Sequence, residues 1–209
     1  MVGRIIETQA DIAEGMAWLA SHDSRFAQAY ERTGELPLRR RPEGFAELLG
    51  AIVSQQVSTA SARAIWGRME AAGFITPEAV AAADDEALRA CGLSRPKLRY
   101  ARALSQAGVD FPALKLMSDE NIITQLIELP GIGRWTAEIY AMFSLGRADI
   151  FAHADLALQE GARLLLGLED RPNERRMREI AGSWSPWRAV AARLLWAYYR
   201  VEKNREGIR

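Results

Sequence analysis

The chain is short of almost everything that would build a metal, redox or disulfide centre. Among its 209 residues there is one cysteine, Cys91, and there are two histidines, His22 and His153. A single thiol excludes a disulfide framework, a four-cysteine zinc site and a four-cysteine iron–sulfur cluster. Two histidines are too few for a histidine-rich metal centre. Excess charge is missing too: Lys+Arg and Asp+Glu both number 27, and the pI is near 6.8. That is not the balance of a general nucleic-acid coat protein. A local basic face can still hold DNA through a few phosphates, with a correspondingly modest salt dependence. No apolar run approaches about eighteen residues, and the first residues lack the basic-then-apolar order of a secretory signal. A reducing, cytoplasmic setting with no membrane is the expectation.

Alternating strands are also lacking, because Val, Ile and Thr never alternate with polar residues for long. What is present is helical. Thr76-Pro77-Glu78 has the N-cap and first-turn proline of a helix start, and Ser94-Arg95-Pro96 resembles it. Ser185-Pro186 predicts a third start, ahead of Trp187, Val190, Ala191, Leu194, Leu195 and Tyr198, which share one face. Gly73, Gly92, Gly108, Gly146 and Gly167 close periodic runs, as glycines following helix C-termini do. The proline-bounded stretch Glu35–Pro42 reads as an extended crossing, and a second crossing follows Gly146. The expected architecture is all-α: one unit over 1–209, with a central helical lobe over 43–146. A second lobe would comprise 1–42 plus 147–209, with a ligand cleft between the two.

The most informative segment is Leu129-Pro130-Gly131-Ile132-Gly133-Arg134-Trp135-Thr136-Ala137. Apolar residues at helical spacing precede it (Ile122, Ile123, Leu126, Ile127) and follow it (Trp135, Ile139, Met142, Phe143). Two glycines flanking one apolar residue permit a tight turn and close approach of backbone N–H groups to a ligand. The second helix then offers unsatisfied N–H groups to an anion. With no side-chain pocket for a nucleotide, that anion reads as a DNA phosphate, and the downstream carboxylate of Asp155 becomes a candidate catalyst. Taken alone, the hairpin is also what an ordinary helix–helix turn looks like.

Three further segments stand in register with it: Ile52-Val53-Ser54-Gln55-Gln56-Val57-Ser58, Gly92-Leu93-Ser94-Arg95-Pro96-Lys97 and Trp184-Ser185-Pro186-Trp187-Arg188. With these four motifs the sequence resembles the helix-hairpin-helix (HhH-GPD) superfamily of DNA glycosylases, and more narrowly its 3-methyladenine DNA glycosylase II branch. The resemblance spans roughly residues 15 to 200; four collinear motifs are far more specific than one.

The resemblance implies a role for particular residues. Asp155, in Ile150-Phe151-Ala152-His153-Ala154-Asp155, matches the catalytic aspartate, which stabilises positive charge on the sugar and holds water on its other face. Asp155 also reads as the N-cap of a helix over 156–165, and the two readings are compatible, since a helix N-terminus favours a charged carboxylate. Trp135 stands where family members that cleave the backbone carry a Schiff-base lysine, which implies a monofunctional enzyme without lyase activity. Trp135, Trp196 and Ile139 would line the base pocket, the indole faces attracting a cationic alkylated purine. For Trp196 a plain core position is nearly as good a reading. Ile139 and Ala197 replace pocket tyrosines of that branch, implying a wider or less polar pocket.

Gln56 matches the residue that wedges into the duplex when a nucleotide is flipped, whereas Gln55 reads as structural. Ala51 replaces the glutamate that protonates neutral adenine, which favours alkylated bases, although Glu47 lies one turn away. Gly131, Ile132, Gly133, Arg134, Thr136 and Lys97 would bind DNA, Lys97 as a phosphate contact within Arg95, Lys97, Arg99 and Arg102. Arg171, Arg175, Arg176 and Arg178 receive no role. The family also holds a monovalent cation, sodium or potassium, on main-chain carbonyls, here those of Ile127, Leu129 and Ile132. No organic cofactor or catalytic metal is required. The implied activity is hydrolysis of the N-glycosidic bond of alkylated purines, of the 3-methyladenine and 7-methylguanine type, in damaged double-stranded DNA by a monomer, opening base excision repair. A glycosylase for neutral lesions such as hypoxanthine or mispaired uracil or thymine, and a non-catalytic hairpin module, are the alternatives.

Overall fold

The computed structural model describes residues 3–203. Those residues form thirteen helices and no strand; the nearest approach to a strand is a bridge between Ile5 and Arg147. None of the described helices is long and apolar enough to cross a membrane.

Helices α1 (Gln9–His22) and α2 (Ser24–Thr33) come first. Thr8 and Asp11 close a reciprocal capping box on α1, and Asp23 caps α2 by accepting from the Arg25 N–H. The next run is α3 (Phe45–Ser54), α4 (Thr59–Ala71), α5 (Pro77–Ala82), α6 (Asp85–Ala90), α7 (Arg95–Gln106), α8 (Phe111–Leu114), α9 (Asp119–Ile127) and α10 (Arg134–Phe143). The last are α11 (Leu156–Leu166), α12 (Glu174–Gly182) and α13 (Arg188–Lys203).

The chain divides into two compact units, one over Arg41–Tyr140 and one built from the described residues on either side of it. In the first, α7 packs on α3, α5 and α6, with Leu98, Ala101 and Leu104 among its buried residues. As expected, Thr76 caps α5 with Pro77 in the first turn, and Pro96 lies in the first turn of α7. Arg102 closes the other end of α5, donating to the carbonyls of Val80, Ala81 and Ala83. Those carbonyls have no partner within the helix, so a guanidinium fork satisfies three at once.

In the second unit, α13 is central, packed on α1, α2 and α11 and buried continuously from Ala189 to Trp196. This unit takes up the chain at Ala141, ahead of the expected 147, because Phe143 stacks on Trp196 at 5.7 Å between ring centroids. The start of α13 also differs from expectation. Ser185 does not cap it: the Ser185 hydroxyl donates to Asp149 at 2.8 Å, the Ser185–Pro186 bond is cis, and the helix opens at Arg188.

Candidate active site

The hairpin lies between α9 and α10. Ile132 N–H donates to Leu129 O at 3.0 Å, and Ala137 N–H to Gly133 O at 3.0 Å, which opens α10. The N–H groups of its first turn therefore have no carbonyl within the helix to donate to. Gly131 has φ +88, and a Cβ there would stand 2.5 Å from Cγ of Tyr100. Both the dihedral and the close approach require glycine. Gly133 is exposed, and a Cβ there would meet nothing within 4 Å. Arg134 lies 3.7 Å from Glu138, one turn on, while Thr136 is buried.

Trp135 follows immediately and is 40% exposed, unusual for so large an apolar ring. Ile139, one turn later, is buried. The carbonyls proposed for a cation fit one in kind. Ile127 ends α9, so its carbonyl lacks a partner further along the helix, and Leu129 O accepts one N–H and keeps a second lone pair. Neutral carbonyl oxygens would hold a monovalent ion, whose contribution would be positive charge for a phosphate. Among the described residues no three His, Cys, Asp or Glu side chains group as metal ligands.

In the same unit, α3 ends at Ser54 and Gln55 caps it in extended conformation. Gln56 is exposed with φ +54, a left-handed conformation uncommon outside glycine and asparagine. Gln55 is structural, as expected: its Nε2 donates to Gly131 O at 2.7 Å. Lys97 is placed differently from its expected role at a phosphate. It is only 7% exposed, and Nζ donates to Val53 O at 2.7 Å. Burial pushes its pKa below the usual lysine value. Of the basic run on α7, Arg95 and Arg99 remain exposed.

The second unit holds Asp155, buried at 7% exposure and serving as the N-cap of α11. Its Oδ1 accepts from Ala157 N at 2.9 Å, Leu158 N at 3.0 Å and Trp196 Nε1 at 3.2 Å. Trp196 is fully buried, so it presents no open face to a base; its indole instead orients Asp155. The Trp196 N–H makes its contact across 41 residues, which no local pattern in the sequence signals.

The loop entering Asp155 is fastened along its length. Ile6 N–H donates to Gly146 O at 2.7 Å and Ala148 N–H to Arg4 O at 3.0 Å. Gly146 has φ +72, and a Cβ there would stand 2.7 Å from Ile6 O. Asp149 takes two bonds from the Arg188 guanidinium, at 2.6 and 2.8 Å. Gln159, itself buried, donates to His153 O at 2.9 Å. Neither Asp149 nor Gln159 stood out in the sequence, since each reads as an ordinary polar residue.

Comparison with known proteins bears on this arrangement. The family described as HhH-GPD superfamily base excision DNA repair protein matches residues 49–186. DNA-3-methyladenine glycosylase 1 of Schizosaccharomyces pombe is 30% identical over 207 residues, covering 91% of each chain. The structure of the 3-methyladenine DNA glycosylase of that yeast in complex with abasic DNA superposes with a TM-score of 0.76 at 28% identity. It covers 91% of this chain and 97% of the other. A DNA-3-methyladenine glycosidase from Bacillus halodurans gives a TM-score of 0.80 at 32% identity, covering 95% and 91%.

Proposed function

The chain belongs to the HhH-GPD superfamily of base excision DNA repair proteins, and from that premise we propose that it is a monofunctional, monomeric glycosylase for alkylated purines in duplex DNA. Asp155 carries the reading. A carboxylate whose Oδ1 is fixed by three N–H donors is pre-oriented, which is what stabilising a transient charge requires.

In the proposed reaction the C1′–N bond breaks heterolytically and its electron pair leaves with the base. An N3- or N7-alkylated purine is already cationic and departs neutral, so no acid need protonate it. Ala51, which cannot donate a proton, is consistent with that. Positive charge develops on the sugar, where Asp155 opposes it; water adds to C1′ and loses a proton, leaving an abasic site. The exposed indole of Trp135 takes the cationic base on its face. It has no amine to form a Schiff base, so the backbone stays intact.

The hairpin amides hold a backbone phosphate, and the exposed Gln56 fills the stack vacated by the extruded nucleotide, offsetting part of the few kcal/mol that extrusion costs. Lys97 serves this scheme from inside the fold rather than at a phosphate.

Asp155→Asn is the decisive experiment, because asparagine is an equally good N-cap and only the charge is lost. Release of 3-methyladenine from duplex DNA should fall by about 10²–10³-fold, while an abasic duplex is still bound. Near-normal release by the variant would overturn the mechanism, and strand cleavage by the wild type would overturn monofunctionality. Faster release of hypoxanthine than of 3-methyladenine would favour a neutral-lesion enzyme.

A further inference from the structure

Two elements assigned above to DNA, the Gln56 turn and the glycine hairpin, are far apart in sequence but joined by a side-chain bond and braced by one helix. Gln55 reaches from the end of α3 to the carbonyl of Gly131 at 2.7 Å. Lys97 on α7 donates to Val53 O, a carbonyl in the last turn of α3, also at 2.7 Å. Tyr100, three residues along α7, packs its ring against Gly131 closely enough to exclude a Cβ. One helix thus braces both elements, and one amide ties them directly.

The chemistry of these bonds is costly for stability alone. Burying an ammonium is unfavourable, and among the described residues Lys97 has no carboxylate partner; it spends its charge on a main-chain oxygen. Gln56 holds a left-handed backbone that most residues avoid. Such arrangements persist where their surroundings over-determine them, and they concentrate at working sites.

We propose that Gln55 and Lys97 are positioning residues that couple the Gln56 turn to the hairpin, so that wedge insertion and phosphate gripping occur as a single event. This rests on the functional reading above. The coupling discriminates: on a paired lesion the wedge must enter while the strand is held, whereas a nucleotide already looped out needs no wedge.

The test compares two substrates with the full chain: an alkylated purine paired in a duplex, and the same lesion in a single-nucleotide bulge. Gln55→Leu removes the donor at similar size, and Gln55→Glu sets an oxygen against the Gly131 carbonyl. Each should lower kcat/KM on the paired lesion about tenfold, through KM, and lower it on the bulge by no more than about threefold. Lys97→Met should do the same, and its combination with Gln55→Leu should be less than additive. Equal losses on both substrates, or losses in kcat alone, would overturn the coupling. If the wild type releases no base from either substrate, the functional reading fails instead. Affinity for the two DNAs then decides, and the variants must lose binding to the paired duplex only.

Discussion

The indole Nε1 of Trp196 and Oδ1 of Asp155 lie 3.2 Å apart, joining the middle of α13 to the N-cap of α11. The same α13 begins with Arg188, bonded through two nitrogens to Asp149. One helix therefore grips the loop at Asp149 and again at Asp155. Trp196→Phe keeps the ring against Phe143 and removes only the N–H. It should reduce kcat about tenfold with KM little changed, since one hydrogen bond to a charged group is lost. Trp196→Ala, by contrast, should destabilise the fold by about 3–5 kcal/mol through the cavity it leaves. Single-turnover rates together with urea unfolding separate the two effects.

Trp135 carries a prediction of the opposite kind. Its ring is 40% exposed, so Trp135→Ala should cost less stability than Trp196→Ala, and it should weaken transition-state binding of a cationic lesion by about 5- to 30-fold, the cation–π contribution. Trp135→Phe should fall between. If both variants lose equally on cationic and neutral purines, the indole contributes stacking and not charge recognition.

The two hairpin glycines should fail differently. Gly131→Ala combines φ +88 with a clash against Tyr100 and should cost about 1–3 kcal/mol of stability. Gly133→Ala meets no protein atom, so its melting temperature should match the wild type while its affinity for abasic duplex falls. An affinity unchanged in Gly133→Ala would mean that no phosphate approaches that Cα.

Acid stability has a defined contributor in Asp23. The Arg25 side chain beside it, first, and the Arg25 N–H hold its carboxyl below 3.8 against the opposing effect of burial. A carboxyl depressed on folding stabilises above its unfolded value, and the contribution disappears as pH falls through the folded one. Asp23→Ala should thus cost about 1 kcal/mol at neutral pH and progressively less below pH 3.8. Urea unfolding of both proteins across that range reads the convergence directly.

Local signals in the sequence proved legible where the responsible chemistry is local. Thr76-Pro77 opens a helix, glycines with positive φ close several, and Asp155 caps α11. Long-range contacts were not legible. Lys97 reads as a surface cation because lysines usually are, and nothing nearby announces that Val53 O, 44 residues earlier, will take it. The resemblance puts Trp196 in the base pocket, with a core position as the other reading, and neither reveals that its N–H meets Asp155. Ser185-Pro186 has the composition of a helix start, but Asp149 claims the hydroxyl and the helix waits until Arg188.

The short segment containing Arg4 and Ile6 acquires its partners, Gly146 and Ala148, only across the whole Arg41–Tyr140 unit. On the ribosome it is made before them and must stay unpaired while about 140 intervening residues are translated, at about 5–20 residues per second. The interposed unit is continuous in sequence and can mature during that interval. The unit carrying Asp155 is the last to close, so a chain interrupted late in synthesis would possess the glycine hairpin but lack the bond from Trp196 to Asp155.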